Sequence, residues 1–177
     1  ANFLSGQEET YQSWYGAPLS QINAGNLTYN PSGLNFDEEG NIRFYEDEVD
    51  NYKQTHAHLI YNQDLQNGLL LNLGLHHTKG QGYFEQFKED DDLESYSIAP
   101  VNLVNENGES FIQETSDIIR RRWLDNDFYG MIANLKYVNN DWEAVLGGGY
   151  NIYEGAHFGE VVWARFASNS DIYDRYY

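Results

Sequence analysis

The 177-residue sequence contains no cysteine, which excludes a disulfide framework and any thiolate metal site and fits an exported bacterial chain as readily as a cytosolic one. Basic residues are few: 10 Lys and Arg stand against 28 Asp and Glu, for a formal charge of -18. A chain so acidic repels phosphate backbones, which excludes nucleic acid as a partner and favours cationic or metal-bearing ones. No apolar run approaches the roughly 20 residues of a membrane-spanning helix, but strands of a membrane barrel need only about 9 to 11 residues of alternating polarity. Catalytic signatures are missing too. There is no Gly-x-Ser-x-Gly elbow, phosphate loop or His-Glu-x-x-His helix, and no spacing singles out a pair of acids for glycoside hydrolysis, so neither an enzyme nor a cofactor is expected.

What the chain has is 15 Tyr, 4 Trp and 16 Gly at a mean hydropathy of -0.68, a mixture typical of strands in which aromatic, small and polar residues alternate. From residue 53 to 61 one parity reads Thr55, Ala57, Leu59, Tyr61 and the other Gln54, His56, His58, Ile60. After a polar turn over residues 63–68, Leu69, Leu71, Leu73 and Leu75 alternate with Leu70, Asn72, Gly74, His76 and Thr78. Pairing Leu59 with Leu73 keeps both apolar parities on one face and sets His56 opposite His76. A second hairpin repeats the layout: Tyr129, Met131, Ala133, Leu135 and Tyr137 precede Asn139-Asn140, a pair suited to a type I′ turn, and Trp142, Ala144, Leu146, Gly148, Tyr150 and Ile152 return. In that register Tyr137 meets Trp142 and Lys136 meets Glu143. Gly147 to Gly149 fall inside a strand, where they leave room for aromatic rings or a close backbone rather than cradle a phosphate.

Long polar stretches (1–50, 80–127, and 154 to the end) lie beyond one end of these hairpins, and tight turns close the other. Short turns on one side and long loops on the other are the habit of outer-membrane barrels. The expected fold is therefore all-β, an antiparallel transmembrane β-barrel segment with about four spanning strands and long extracellular loops. The alternative is a soluble β-sandwich serving as a cell-surface binding module, since one apolar face per strand also suits a packed core.

Several strings carry a likeness to a known family: NFLSG at 2–6, YQSWYGAP at 11–18, EVDNY at 48–52, GQGYFEQFKED at 80–90, IIRRRWLDNDFYG at 118–130, GGGY at 147–150 and HFGEVVWAR at 157–165. Taken together, the chain resembles TonB-dependent outer-membrane receptors that import iron chelates. The resemblance implies a barrel of about 22 strands around an N-terminal plug. It implies a place in the bacterial outer membrane, with the receptor's own plug domain, TonB, a small metal chelate and outer-membrane lipid as partners. Residues 1–177 would then be part of the barrel domain of a larger receptor, with the plug and remaining strands outside this stretch, and the task would be ligand capture and import.

Candidate site residues follow from chemistry. His56, His58 and His76 share a parity, so their imidazoles are candidate ligands for a transition metal, or simply polar groups of a lumen; His77 points the other way. Residues 35–46 match a calcium loop in part, with Asn35, Asp37, Glu39 and Glu46 as possible oxygen ligands and Gly40 at the turn. The same residues also read as a hairpin joining 34–36 to 42–44, the favoured assignment. The acidic run 89–94 is a candidate for cationic ligands or a solvated loop face. Arg120, Arg121 and Arg122 form the one basic cluster, able to hold an anionic chelate or to pair with loop carboxylates. Trp123, with Tyr83, Phe84 and Trp163, offers stacking to a ligand, or forms aromatic girdles.

Overall fold

The computed structural model describes residues 1–37, 39–167 and 175–177, so Glu38 of the calcium-type loop and Asp174 near the end lie outside the described residues. The chain is all-β and antiparallel. Its elements are β1 (Asn2–Tyr11), α1 (Leu19–Asn23), β2 (Leu34–Phe36), β3 (Ile42–Phe44), β4 (Val49–Gln66), β5 (Leu69–Asp92), a 3₁₀ turn (Leu93–Tyr96), β6 (Val101–Val104), β7 (Ser110–Gln113), β8 (Thr115–Val138) and β9 (Glu143–Ala164). The five long strands form one open sheet in the order β1-β4-β5-β8-β9, while β2-β3 and β6-β7 are separate two-stranded sheets. No helix among the described residues is long and apolar enough to cross a membrane, which says nothing of crossing by strands. Contacts divide the chain into a first unit (residues 1–8, 52–82 and 124–156) and a second (9–51, 83–123 and 157–177).

The expected polar stretches are shorter as loops than the sequence implies. Residues 2–11 form β1, a fifth strand of the main sheet, and β5 and β8 each run 24 residues, deep into the region read as a loop. Polar residues sustain a strand as well as apolar ones when the neighbouring strand supplies ladder hydrogen bonds and cross-strand partners. A loss of hydropathy therefore does not mark the end of the strand.

In the first unit, β5 and β8 keep one register. Asn72 Nδ2 donates to Asn134 Oδ1, His77 stacks on Tyr129 and Lys79 pairs with Asp127, so that each step forward on β5 is a step back on β8. The turn from β4 to β5 runs through three residues of positive φ, Gln66, Asn67 and Gly68, at 69°, 52° and 81°. Gly68 is needed for space as well, since a Cβ there would lie 1.9 Å from the Val138 carbonyl oxygen. Leu59, Tyr61, Leu73, Leu75 and Met131 line one concavity, as the alternation predicts.

The second hairpin departs from expectation. Neither Asn139 nor Asn140 has a positive φ, so no type I′ turn forms. Instead the Asn139 side chain accepts hydrogen bonds from the amides of Asp141 and Trp142, and Asn139 N donates to Trp142 O, closing a four-residue loop. The longer loop moves β9 two residues along: Gly147 abuts Asn134, Gly149 abuts Ile132, and the Tyr137 hydroxyl meets Asn139 rather than Trp142. Lys136 still reaches Glu143, and Gly147 and Gly149 do leave space for a close backbone, that of Ala133 and Met131.

The second unit holds the core. Leu93, Tyr96, Ile98, Ile118 and Val161 are buried together, with Val101, Ala164, Ala167 and Tyr176 packed on them. The expected hairpin at 34–44 is present, Leu34 opposite Phe44 and Phe36 opposite Ile42. Its turn is closed by Asp37, whose carboxylate accepts from Asn41 N at 2.7 Å and from Arg43 Nε at 3.2 Å. Those hydrogen bonds, the Asn41 amide first, hold the Asp37 carboxyl below its ordinary value.

Candidate functional site

The basic cluster lies on β8 in the second unit, facing residues 83–86 of β5. A strand sends successive side chains to opposite faces, and it divides the arginine triplet accordingly. Arg121 pairs with Glu85 at 2.5 Å and lies over the Tyr83 ring at 4.3 Å, with Trp123 against the same ring at 4.7 Å. On the other parity, Arg120 donates to Gln86 Oε1 at 2.7 and 3.2 Å and to the Tyr96 hydroxyl at 3.2 Å, while Arg122 covers the Phe84 ring at 5.9 Å. The three guanidinium groups thus make no single anion cradle. Pairing with a carboxylate is realised for Arg121 alone, on Glu85; Arg120 is held by an amide and a phenol, and Arg122 keeps a buried Nε without a partner.

Glu85 is the hub of this site. It is 4% exposed and accepts from Arg121 and from the Tyr45 hydroxyl, while Arg121 supplies the compensating charge. Burial first, and the bond to Glu85 second, drive the Tyr45 hydroxyl far above its ordinary pKa, so it remains a donor. Trp123 Nε1 donates to Glu160 at 2.9 Å and its ring stacks near Phe158 at 5.9 Å, so its edge is committed within the protein. Sequence reasoning missed Glu48, which is 2% exposed and joins Trp14 Nε1 at 2.7 Å to the Phe87 amide at 3.1 Å. Burial raises its carboxyl pKa above the ordinary value, against the hydrogen bonds from Phe87 and Trp14 that lower it. No pattern in the sequence distinguishes Glu48 from its exposed neighbours Glu46 and Asp47; only the tertiary fold removes its water.

The histidines lie in the first unit. His56 Nδ1 bonds Thr78 Oγ1 at 2.9 Å, and His76 Nε2 reaches Asn151 Oδ1 at 3.2 Å, so the expected His56–His76 partnership is replaced by separate ones. His56 thus meets a residue two places beyond His76 on β5, and His76 reaches past β8 to β9. His58 stands 6.1 Å from His56 between ring centroids, too far for direct bonding. His77 does face the other way, bonded to Asp127 at 2.8 Å. Among the described residues no three His, Asp or Glu side chains form a group that could hold a metal ion. Asn35 donates to Gly33 O, Asp37 closes its turn, and Glu39 and Glu46 are not drawn to a common centre with them.

No protein-family model, curated protein or solved structure matches this chain.

Proposed function

We propose that the chain is a piece of a bacterial outer-membrane β-barrel receptor of the TonB-dependent kind, which captures a small metal chelate and passes it inward without catalysis. The observation that carries this reading is where the apolar side chains lie. Every fully buried apolar side chain among the described residues belongs to the second unit, while Leu59, Leu73, Leu75, Met131, Leu146 and Tyr150 of the first remain exposed, Leu146 at 78%. Exposed apolar side chains grouped in this way are unfavourable in water and ordinary against lipid tails. The opposite parity is mixed: it carries His56, His76, Asn72, Asn134 and Lys136, read here as the lining of a lumen, beside exposed Ile60, Ile132 and Val145. The soluble sandwich needs a second sheet over the apolar parity, and both small sheets fall within the second unit.

In this reading β5 and β8 are spanned by lipid along part of their length and rise beyond it, where Glu85, Arg121, Trp123 and their partners stiffen the strand extensions. Ligand contact falls to the loop residues these extensions present, and the plug and TonB act from outside this stretch. The test is spin-label accessibility in the intact protein reconstituted in bilayers. Labels at Leu59 and Leu135 should meet lipid-soluble quenchers and labels at His58 and Lys136 water-soluble ones. Shielding of Leu59 and Leu135 from both would mean a protein core covers them and would sink the membrane reading. The receptor half is checked by titrating ferric chelates against intrinsic tryptophan fluorescence; no saturable change with any chelate class would remove it.

A further inference from the structure

On the apolar parity of the first unit the side chains change character at the same level in all five strands. Along β5, Leu73 and Leu75 give way to His77, Lys79 and Gln81; along β8, Met131 and Tyr129 give way to Asp127 and Asp125. These residues share one face, because His77 stacks on Tyr129 at 4.6 Å with rings 4° from parallel, and Lys79 lies 2.5 Å from Asp125 and 2.7 Å from Asp127. Gln81 extends the row to Asp125. On β9, Tyr150 and Ile152 line a hollow with Leu75, Tyr129 and Met131, and Glu154 follows two residues on. At the far edge Ser5 of β1 and Thr55 of β4 bond through their hydroxyls at 3.1 Å, beyond Phe3, Ala57 and Leu59.

We propose that this row is the waterline: bilayer hydrocarbon ends at His77 and Tyr129, and Lys79, Asp125, Asp127 and Glu154 lie among lipid headgroups. The inference rests on the barrel reading. Charged side chains on a lipid face are costly at the midplane and nearly free at the interface, so a lipid-facing charged row belongs at the interface. An imidazole stacked on a phenol is likewise suited to that level, with an apolar body and polar edges. The other border of the belt is set by Tyr137 and Trp142 beside the Asn139 turn. From Tyr137 to Tyr129 the strand advances about 27 Å at about 3.4 Å per residue. At a tilt of about 40° that is roughly 21 Å of height, close to the ~25 Å apolar band of outer-membrane barrels.

This stretch has no cysteine, and any cysteine elsewhere in the intact protein would be replaced before labelling. The intact protein in phosphatidylcholine vesicles would carry a spin label on Leu73→Cys, Leu75→Cys, Tyr150→Cys, Gln81→Cys or Glu154→Cys, and collision with oxygen and with a water-soluble nickel chelate would be compared. The expected result is oxygen-dominated collision at 73, 75 and 150, nickel-dominated collision at 81 and 154, and a crossover within one row of His77. Replacing Lys79, Asp125 and Asp127 together by Leu should move the crossover outward by at least one row, about 5 Å. Labels at 81 and 154 as oxygen-accessible as those at 73 and 75 would overturn the waterline and leave the barrel standing. Labels at 73 and 75 that meet no lipid would overturn both.

Discussion

His76 and Asn151 touch across an intervening strand: imidazole Nε2 and amide Oδ1 lie 3.2 Å apart over Gly130 of β8, where a Cβ would stand 2.1 Å from each. A glycine is thus what lets β5 and β9 communicate directly. In a double-mutant cycle, His76→Ala and Asn151→Ala should show a coupling of about 1 kcal/mol, measured by denaturant unfolding. In a Gly130→Ala background that coupling should vanish. Coupling that persists there would mean the two side chains interact by another route.

Glu85 has lost nearly all its water and relies on Arg121 and Tyr45. Arg121→Met should destabilise the second unit by about 3 kcal/mol, because it strands a buried carboxylate. Glu85→Gln with Arg121→Met should cost appreciably less than Arg121→Met alone. Equal losses would show that the guanidinium acts through its packing on Tyr83 and not through its charge.

Glu48 makes stability depend on pH in the direction opposite to a salt-bridged acid. Its folded pKa lies above the ordinary 4.5, so the protonated form is the one the fold favours. Its contribution is complete below the unfolded value and is lost as pH rises through the raised one. Hydrogen exchange of the Trp14 indole and the Phe87 amide should therefore show protection that declines as pH rises from about 4.5 through the raised value. Glu48→Gln should flatten that profile, and a slope unchanged in the variant would assign it to another group.

The two hairpin turns should respond oppositely to glycine chemistry. Gly68→Ala forces a side chain into a left-handed conformation and against the Val138 carbonyl, and should cost about 1–3 kcal/mol in unfolding experiments. Asn140→Gly should bring no gain, because that residue has no positive φ to relieve. A stabilised Asn140→Gly variant would restore the type I′ turn to the second hairpin.

Much of this was legible in the sequence, because the signals were local. Alternation at 55–61, 69–78 and 129–137 places the strands and their faces, the Gly-bearing turn places the hairpin at 34–44, and the opposed charges of Lys136 and Glu143 meet. Illegible were features set by three-dimensional competition. The β8-β9 register depends on whether Asn139 bends the backbone through its φ or through its side chain, and composition is silent on that choice. His56 bonds Thr78 and not His76, a partner two residues along that alternation alone cannot fix. The arginine triplet looked like one cluster in a line of letters, yet strand geometry sends Arg121 to Glu85 and its neighbours elsewhere. Glu48 and Glu85 carry no sequence mark of burial at all.

The register of β5 on β8 within the first unit, from Asn72 and Asn134 through to Lys79 and Asp127, limits how such a chain can change length. Inserting one residue early within it exchanges inward and outward side chains beyond that point, carrying Lys79 to the wrong face. Lengthening of these strands is therefore tolerated in pairs, or where a bulge absorbs the odd residue. The turn at 105–109 between β6 and β7, closed by Asn105 and Glu109, bears no such parity rule. Sequence length in descendants of this chain should vary there freely, and along the long strands in steps of two.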